Sequence, residues 1–204
     1  MHGLLARTLQ CFLQDTYGMG TWAEIARRAD LDSPDFEAML NYEPATVARV
    51  LEAAVLRLDK AGDAILEDIG TYLITHPNNE GLRRLMRYGG IDFIDFLHSL
   101  EDLPGRARLA VADLDLPELE LCDRDGGAFE LICRPRRSHP RGLGHVLVGV
   151  LRAMADDYGA LVMLGHAGES AAHERIEITV VQTDFAAGRS FELGGAPPRQ
   201  VKGG

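Results

Sequence analysis

Apolar side chains recur at helical spacing through the first half of the chain. Leu4, Leu5, Leu9, Phe12 and Leu13 draw one stripe, which runs until Tyr17-Gly18-Met19-Gly20 breaks it. Thr21 followed by Glu24 reads as a capping box that opens a second helix. Pro34 and Pro44 each stand where a helix can begin, and Val47, Val50, Leu51, Ala54 and Leu58 form the apolar face of the helix after Pro44. Ile65, Ile69, Leu73 and Ile74 make the next stripe, ended by His76-Pro77-Asn78-Asn79, and a short helix fits Glu80 to Tyr88 before Gly89-Gly90. Residues 91–110, IDFIDFLHSLEDLPGRARLA, begin as an amphipathic helix and reach Pro104-Gly105. Proline removes a backbone donor and glycine relaxes φ, so the pattern predicts a helix stop there.

After about residue 117 the period falls to two. ELELC (118–122) and AFELICR (128–134) alternate as strands around Asp123-Arg124-Asp125-Gly126-Gly127, a hairpin signal. Leu143 to Tyr158 returns to helical spacing, and LVMLGH (161–166) and RIEITVV (175–181) form a second strand pair. The order predicts an α+β fold: a helical N-terminal part, then a small antiparallel four-stranded sheet with one intervening helix. Residues 184–204, rich in glycine and proline, read as a flexible tail.

Composition narrows the function. Of the 204 residues 46% are hydrophobic and 25% charged, which suits one domain or two intimate subdomains. The formal net charge of −10 argues against nucleic acid or an anionic membrane as partner for the whole surface. No run approaches the roughly 18 uninterrupted apolar residues of a membrane helix. Arg7, Gln10, Gln14 and Asp15 interrupt the N-terminal stripe, so a signal peptide is not expected and a cytoplasmic protein is. Cys11, Cys122 and Cys133 lack CxxC spacing, which points to neither a disulfide framework nor a zinc knuckle.

Catalytic patterns are weak. Gly168-Glu169-Ser170-Ala171 lacks the second glycine of a nucleophile elbow, no phosphate-binding glycine loop is present, and no enzyme activity is expected. Glu67-Asp68, Glu101-Asp102 and Asp156-Asp157 read as solvated helix faces, and His166 and His173 as surface histidines around the last hairpin. The strongest local anomaly is Arg134-Pro135-Arg136-Arg137-Ser138-His139-Pro140-Arg141, a basic cluster in an acidic chain. It suits either a clamp for carboxylates or phosphates or a solvated loop.

Several segments together resemble one family. Met1-His2-Gly3, the spacing Tyr17-Gly18 to Trp22, Ile69-Gly70-Thr71-Tyr72-Leu73, EGLRRLMRYGGIDFIDFLHSLEDL and GLGHVLVGVLRAMADDYG, in this order, resemble the H-NOX (haem nitric oxide/oxygen binding) domain over residues 1–183. The resemblance implies a distal helical part, about 1–60, a C-terminal part, about 61–183, and haem between them. Phe96 to Leu103 matches the FLxxLxxL run that precedes the family's axial histidine, and the ligand position falls on Pro104. Proline has no donor for iron. The interval from Pro104 to Pro117 equals the family spacing between the ligand and a proline that touches haem, which supports the register.

Of the possible substitutes, His98 lies about 120° around the helix from position 104, while His139, His145 and the cysteines remain open. The family's Tyr-x-Ser-x-Arg propionate motif falls on Arg137, His139 and Arg141 in one register and on Cys133, Pro135 and Arg137 in another; either retains an arginine. The distal position used by oxygen binders falls on Val146, which has no hydroxyl, so bound haem would favour nitric oxide. The resemblance thus assigns Leu5, Leu9, Pro104, Pro117, Arg137, Arg141, Val146 and Gly149 to the cofactor region. Two readings follow: a haem-based nitric oxide sensor that has lost the usual ligand, or a haem-independent ligand-binding or protein-interaction module. In either, no effector segment follows residue 183, and the expected partner is a separate histidine kinase or diguanylate cyclase.

Overall fold

The computed structural model describes residues 3–111, 114, 116–135, 139, 142–170 and 172–190. Helices α1 (Gly3–Tyr17), α2 (Met19–Arg28), α3 (Pro44–Leu58) and most of α4 (Gly62–Thr75) enclose a first core in which Leu9, Phe12, Leu13, Trp22, Ile25, Val50 and Ile65 are buried. Helix α2 starts two residues before Thr21, with Gly18 as its N-cap, so Thr21 lies within the helix and the expected capping box does not form. No helix starts at Pro34. The loop there is held by polar contacts instead: the Trp22 indole N–H donates to the Pro34 carbonyl at 3.0 Å, and the buried amide of Gln10 donates to Asp35 and accepts from the Phe36 N–H.

The second core collects α5 (Glu80–Arg87), α6 (Phe93–His98), α7 (Leu103–Ala110), α8 (Leu143–Tyr158) and the inner face of a sheet. Strands β1 (Glu118–Asp123), β2 (Ala128–Arg134), β3 (Leu161–Glu169) and β4 (Glu174–Gln182) lie in the order β1-β2-β4-β3, every pair antiparallel. This is the predicted α+β architecture. Strand alternation turns Phe129, Leu131 and Cys133 of β2 and Glu174, Ile176 and Ile178 of β4 to the covered face. The register sets Phe129 opposite Ile178, Leu131 opposite Ile176 and Cys133 opposite Glu174. Gly126 and Gly127 turn the β1–β2 hairpin at positive φ.

The helix does not stop at Pro104. Instead, α6 tightens into a 3-10 turn over Ser99–Asp102, and α7 begins at Leu103 with Pro104 in its first turn, where a missing N–H has no intrahelical role. In a continuous α-helix Pro104 would have to donate to the Leu100 carbonyl. The Leu103 N–H takes that carbonyl through a shorter i to i+3 bond. The Ser99 carbonyl, left without Leu103, accepts from the Arg106 guanidinium at 2.9 Å. Every acceptor freed by the proline is thereby satisfied, and Phe93, Phe96, Leu97, Leu100 and Leu103 stay on the buried face.

Helices α4 and α8 join the two cores by crossing backbone to backbone. A Cβ on Gly70 would overlap the Val146 carbonyl oxygen, and one on Gly149 would overlap the Glu67 carbonyl oxygen. Only hydrogen fits at either place. Gly149→Ala should therefore lower stability by about 1–3 kcal/mol, the usual cost of overpacking, read as a lower midpoint in urea denaturation. Gly105→Ala, where an added Cβ meets nothing within 4 Å, should leave that midpoint unchanged or raise it.

Candidate functional site

The α4–α8 crossing leaves a cavity of about 460 Å3 between α1, α3, α4 and the first turn of α8, within the size range of small-molecule sites. Its wall is hydrocarbon: Leu5 and Leu9 from α1, Val47, Ala48 and Leu51 from α3, Leu66, Ile69 and Leu73 from α4, and Leu143 and Val146 from α8. Helical spacing produces this, since residues three or four apart share a face and each helix offers two or three such positions. Thr8 on the wall turns its hydroxyl to the Leu4 carbonyl at 2.9 Å. The ionisable side chains on the described wall are Glu52, exposed on α3, and His139, only 9% exposed.

Leu5, Leu9 and Val146, and with them His139, lie on this wall. Pro104 and Pro117 are buried but do not contribute to the cavity wall. Gly149 sits at the helix crossing, one turn beyond Val146. Arg137 and Arg141 lie outside the described residues. His98 is on the expected outer face, about half exposed, edge-on to Phe129 and 3.9 Å from Asp123.

His145 stacks on His166, ring centroids 4.1 Å apart, and faces Asp63 and Glu67. Burial alone would raise the Glu67 carboxyl, but the hydrogen bond from Arg152 and the nearby His145 outweigh it and hold it below the usual carboxylate range. His166 is not the surface histidine expected from its loop, because β3 alternation carries it inward to Glu174, 3.1 Å from that carboxylate. The same Glu174 oxygen accepts the Gly144 N–H at 2.9 Å. Helix α8 has only glycine at its N-cap and no side-chain cap, so a carboxylate from β4 supplies the missing acceptor and the negative charge that a helix N-terminus favours.

Two functional-looking carboxylates escaped the sequence reading. Asp157, expected on a solvated face, is 1% exposed and accepts from Arg83 at 2.8 Å, with Arg87 and Arg189 within 4 Å. Its signal was its helical spacing from Val150, Ala153 and Met154, all of which are buried. Glu174 shares the β4 face of Ile176 and Ile178, and that alternation was its signal. The segment read as the start of a tail is also tied down: Ala186 N–H donates to the Gly159 carbonyl, Arg189 N–H to Asp157, and Arg83 to the Ser190 carbonyl.

An axially held haem needs a donor to iron. Among the described wall residues His139 offers an imidazole, yet it enters on the loop before α8, whereas the position matched to the family's ligand is a proline on α7, off the wall. Among the described residues no group of three or more His, Cys, Asp or Glu side chains is placed to hold a metal ion. Among the described residues the cavity wall therefore offers one imidazole, and the position that the resemblance matches to the family's ligand is not on that wall. Likewise, no described helix is long and apolar enough to cross a membrane.

The Cys133 thiol, buried on β2 beside Glu174, is pushed up to about 12 by desolvation and by that carboxylate. It should stay protonated and unreactive through neutral pH. Thiol titration with a disulfide reagent at pH 8 should leave Cys133 unlabelled in the folded protein and modify it only after denaturation, as peptide mapping would show.

Comparison with known proteins converges on one family. The family model described as Haem-NO-binding matches residues 2–166. Soluble guanylate cyclase 89Db of Drosophila melanogaster is 23% identical over 170 residues, covering 83% of this chain and 25% of that protein. The chain therefore spans about a quarter of the length of the curated relatives it matches. Among solved structures, an H-NOX protein from S. oneidensis in the Fe(II) ligation state superposes with a TM-score of 0.74 at 16% identity, covering 90% of this chain and 97% of that one. Fe(II) unliganded H-NOX protein from K. algicida gives 0.73 at 16% identity, covering 89% and 97%.

Proposed function

Since the chain belongs to the haem-NO-binding (H-NOX) family, a family of sensor domains that are not themselves catalytic, we propose that it is a cytoplasmic sensor module whose input is occupancy of the apolar cavity rather than strain in a histidine–iron bond. The observation that supports this reading is at Pro104, which the resemblance matches to the family's ligand position: it is built into the first turn of α7, its lost hydrogen bond is replaced by Leu103 and Arg106, and neither it nor Pro117 lines the cavity. A ligand seated there touches α1 and α3 on one side and α4 and α8 on the other, so it stabilises the arrangement in which all four walls meet it. The output passes to a separate signalling protein of the histidine kinase or diguanylate cyclase class. Tyr88 and Ile91, 72% and 91% exposed beside a groove lined by Arg87, Asp95 and His98, supply an apolar contact for it.

A second reading, a haem-based nitric oxide sensor with a non-family ligand, is favoured by one observation, the imidazole of His139 on the cavity wall. A single experiment separates them. Protein purified with haem supplied is passed through gel filtration and its absorbance recorded. The expected result is no Soret band travelling with the protein. A band that is retained by the wild type and lost in His139→Ala would replace the first reading with the second.

A further inference from the structure

The strand order β1-β2-β4-β3 leaves two edges, and they are built differently. A sheet edge carries a row of unpaired N–H and C=O groups, which recruits another strand unless charge, proline or a covering segment prevents it. Strand β1 has such protection. Glu118, Glu120 and Asp123 make three of its six residues acidic, the Leu121 N–H donates to the Glu101 carboxylate at 2.9 Å, and α7 lies against it. Strand β3 has none. From Leu161 to Gly168 it contains no proline and no ionisable side chain except His166, which is turned inward to Glu174. Among the described residues no backbone pairs with its outer side, and none of its residues is on the cavity wall.

The geometry points to a second copy of this chain as the occupant of that edge: β3 pairs antiparallel with β3 of the other copy about a two-fold axis at Leu164, and the two sheets become one. The ladder between β3 and β4 is regular from Val162 to His166 and irregular at either end, so Leu164 is the centre of the flat stretch. Beyond it the Ala167 carbonyl is already taken by Arg175 at 3.5 Å. An axis at Leu164 sets Met163 of each copy opposite Gly165 of the other. Met163 is 63% exposed, the most exposed apolar side chain of β3, and a Cβ on Gly165 would meet nothing within 4 Å. Each flexible thioether therefore enters the space that the facing glycine leaves open. Leu161 and Val181, also exposed, widen the apolar surface beside this contact.

Charge selects the same partner. The chain carries a net charge of −10, yet along this stretch two copies meet without opposing like charges, whereas a basic strand would find no acidic side chain to pair with. A strand that holds both the knob and the gap is self-complementary, as a two-fold contact requires. Pairing consumes the β3 edge and leaves only the protected β1 edges outside. The assembly stops at two.

Sedimentation velocity of the full chain over a series of concentrations tests the inference. The expected result is a reversible monomer–dimer equilibrium with no larger species. Met163→Lys and Met163→Glu should each weaken dimerisation at least about tenfold, because the two-fold axis repeats the change and sets like charges diagonally across it. An equimolar mixture of these two variants should dimerise again. Leu109→Lys, at an exposed apolar site on α7, should leave the equilibrium unchanged. Circular dichroism confirms that each variant is folded. A wild type that stays monomeric, an open series of larger species, a Met163→Lys variant that dimerises as before, or a mixture that remains monomeric would each overturn the inference.

Discussion

The close crossing of α4 and α8 is the constraint on which the other features depend. Gly70 and Gly149 let the two backbones touch where any side chain would hold them apart. That contact sets the floor of the cavity, because Leu66, Ile69 and Leu73 on α4 and Leu143 and Val146 on α8 lie on either side of it. It also fixes where α8 rests on the sheet, and thereby brings Glu174 to the start of the helix and Asp157 to Arg83 near its end. A family motif that includes Ile69-Gly70-Thr71 and a terminal helix that includes Gly149 thus encode a distance between axes as much as a chemical site.

At Pro104, which has no backbone N–H to give, the chain adjusts locally through a 3-10 turn, a shifted Leu103 bond and the Arg106 guanidinium. Leu100, Leu103 and Ala107 are all buried, so the segment has become part of the core that supports β1. The cavity, by contrast, keeps its apolar wall.

Much of the fold was legible in the chain because it rests on periodicity. The limits of α8 and β2 coincide with the pattern that predicts them, and β1, β3 and β4 differ at their ends by a few residues. The misreadings share a cause: local signals were overruled by partners distant in sequence. Thr21 and Glu24 spell a capping box, yet Met19 and Gly20 are already helical. Pro34 resembles a helix start, but Gln10 and Trp22 hold its loop open. Asp157 resembles a surface residue until Arg83, 74 positions away in the chain, is brought against it. The candidate site was half visible. Leu5, Leu9, Val146 and His139 meet at the cavity, but no local pattern could show that α3 would supply its far wall or that Pro104 would be left outside it.

One further consequence concerns the two ends of α8. With 16 residues the helix is about 24 Å long. Its first turn borders the cavity through Leu143 and Val146, and its C-terminal end holds the segment from Ala186 through Gly159 and Asp157, with Arg83 of α5 donating to Ser190. Near its middle, Gly149 lies against the α4 backbone. One 16-residue element thus joins the wall of the apolar cavity to the anchorage of residues 186–190.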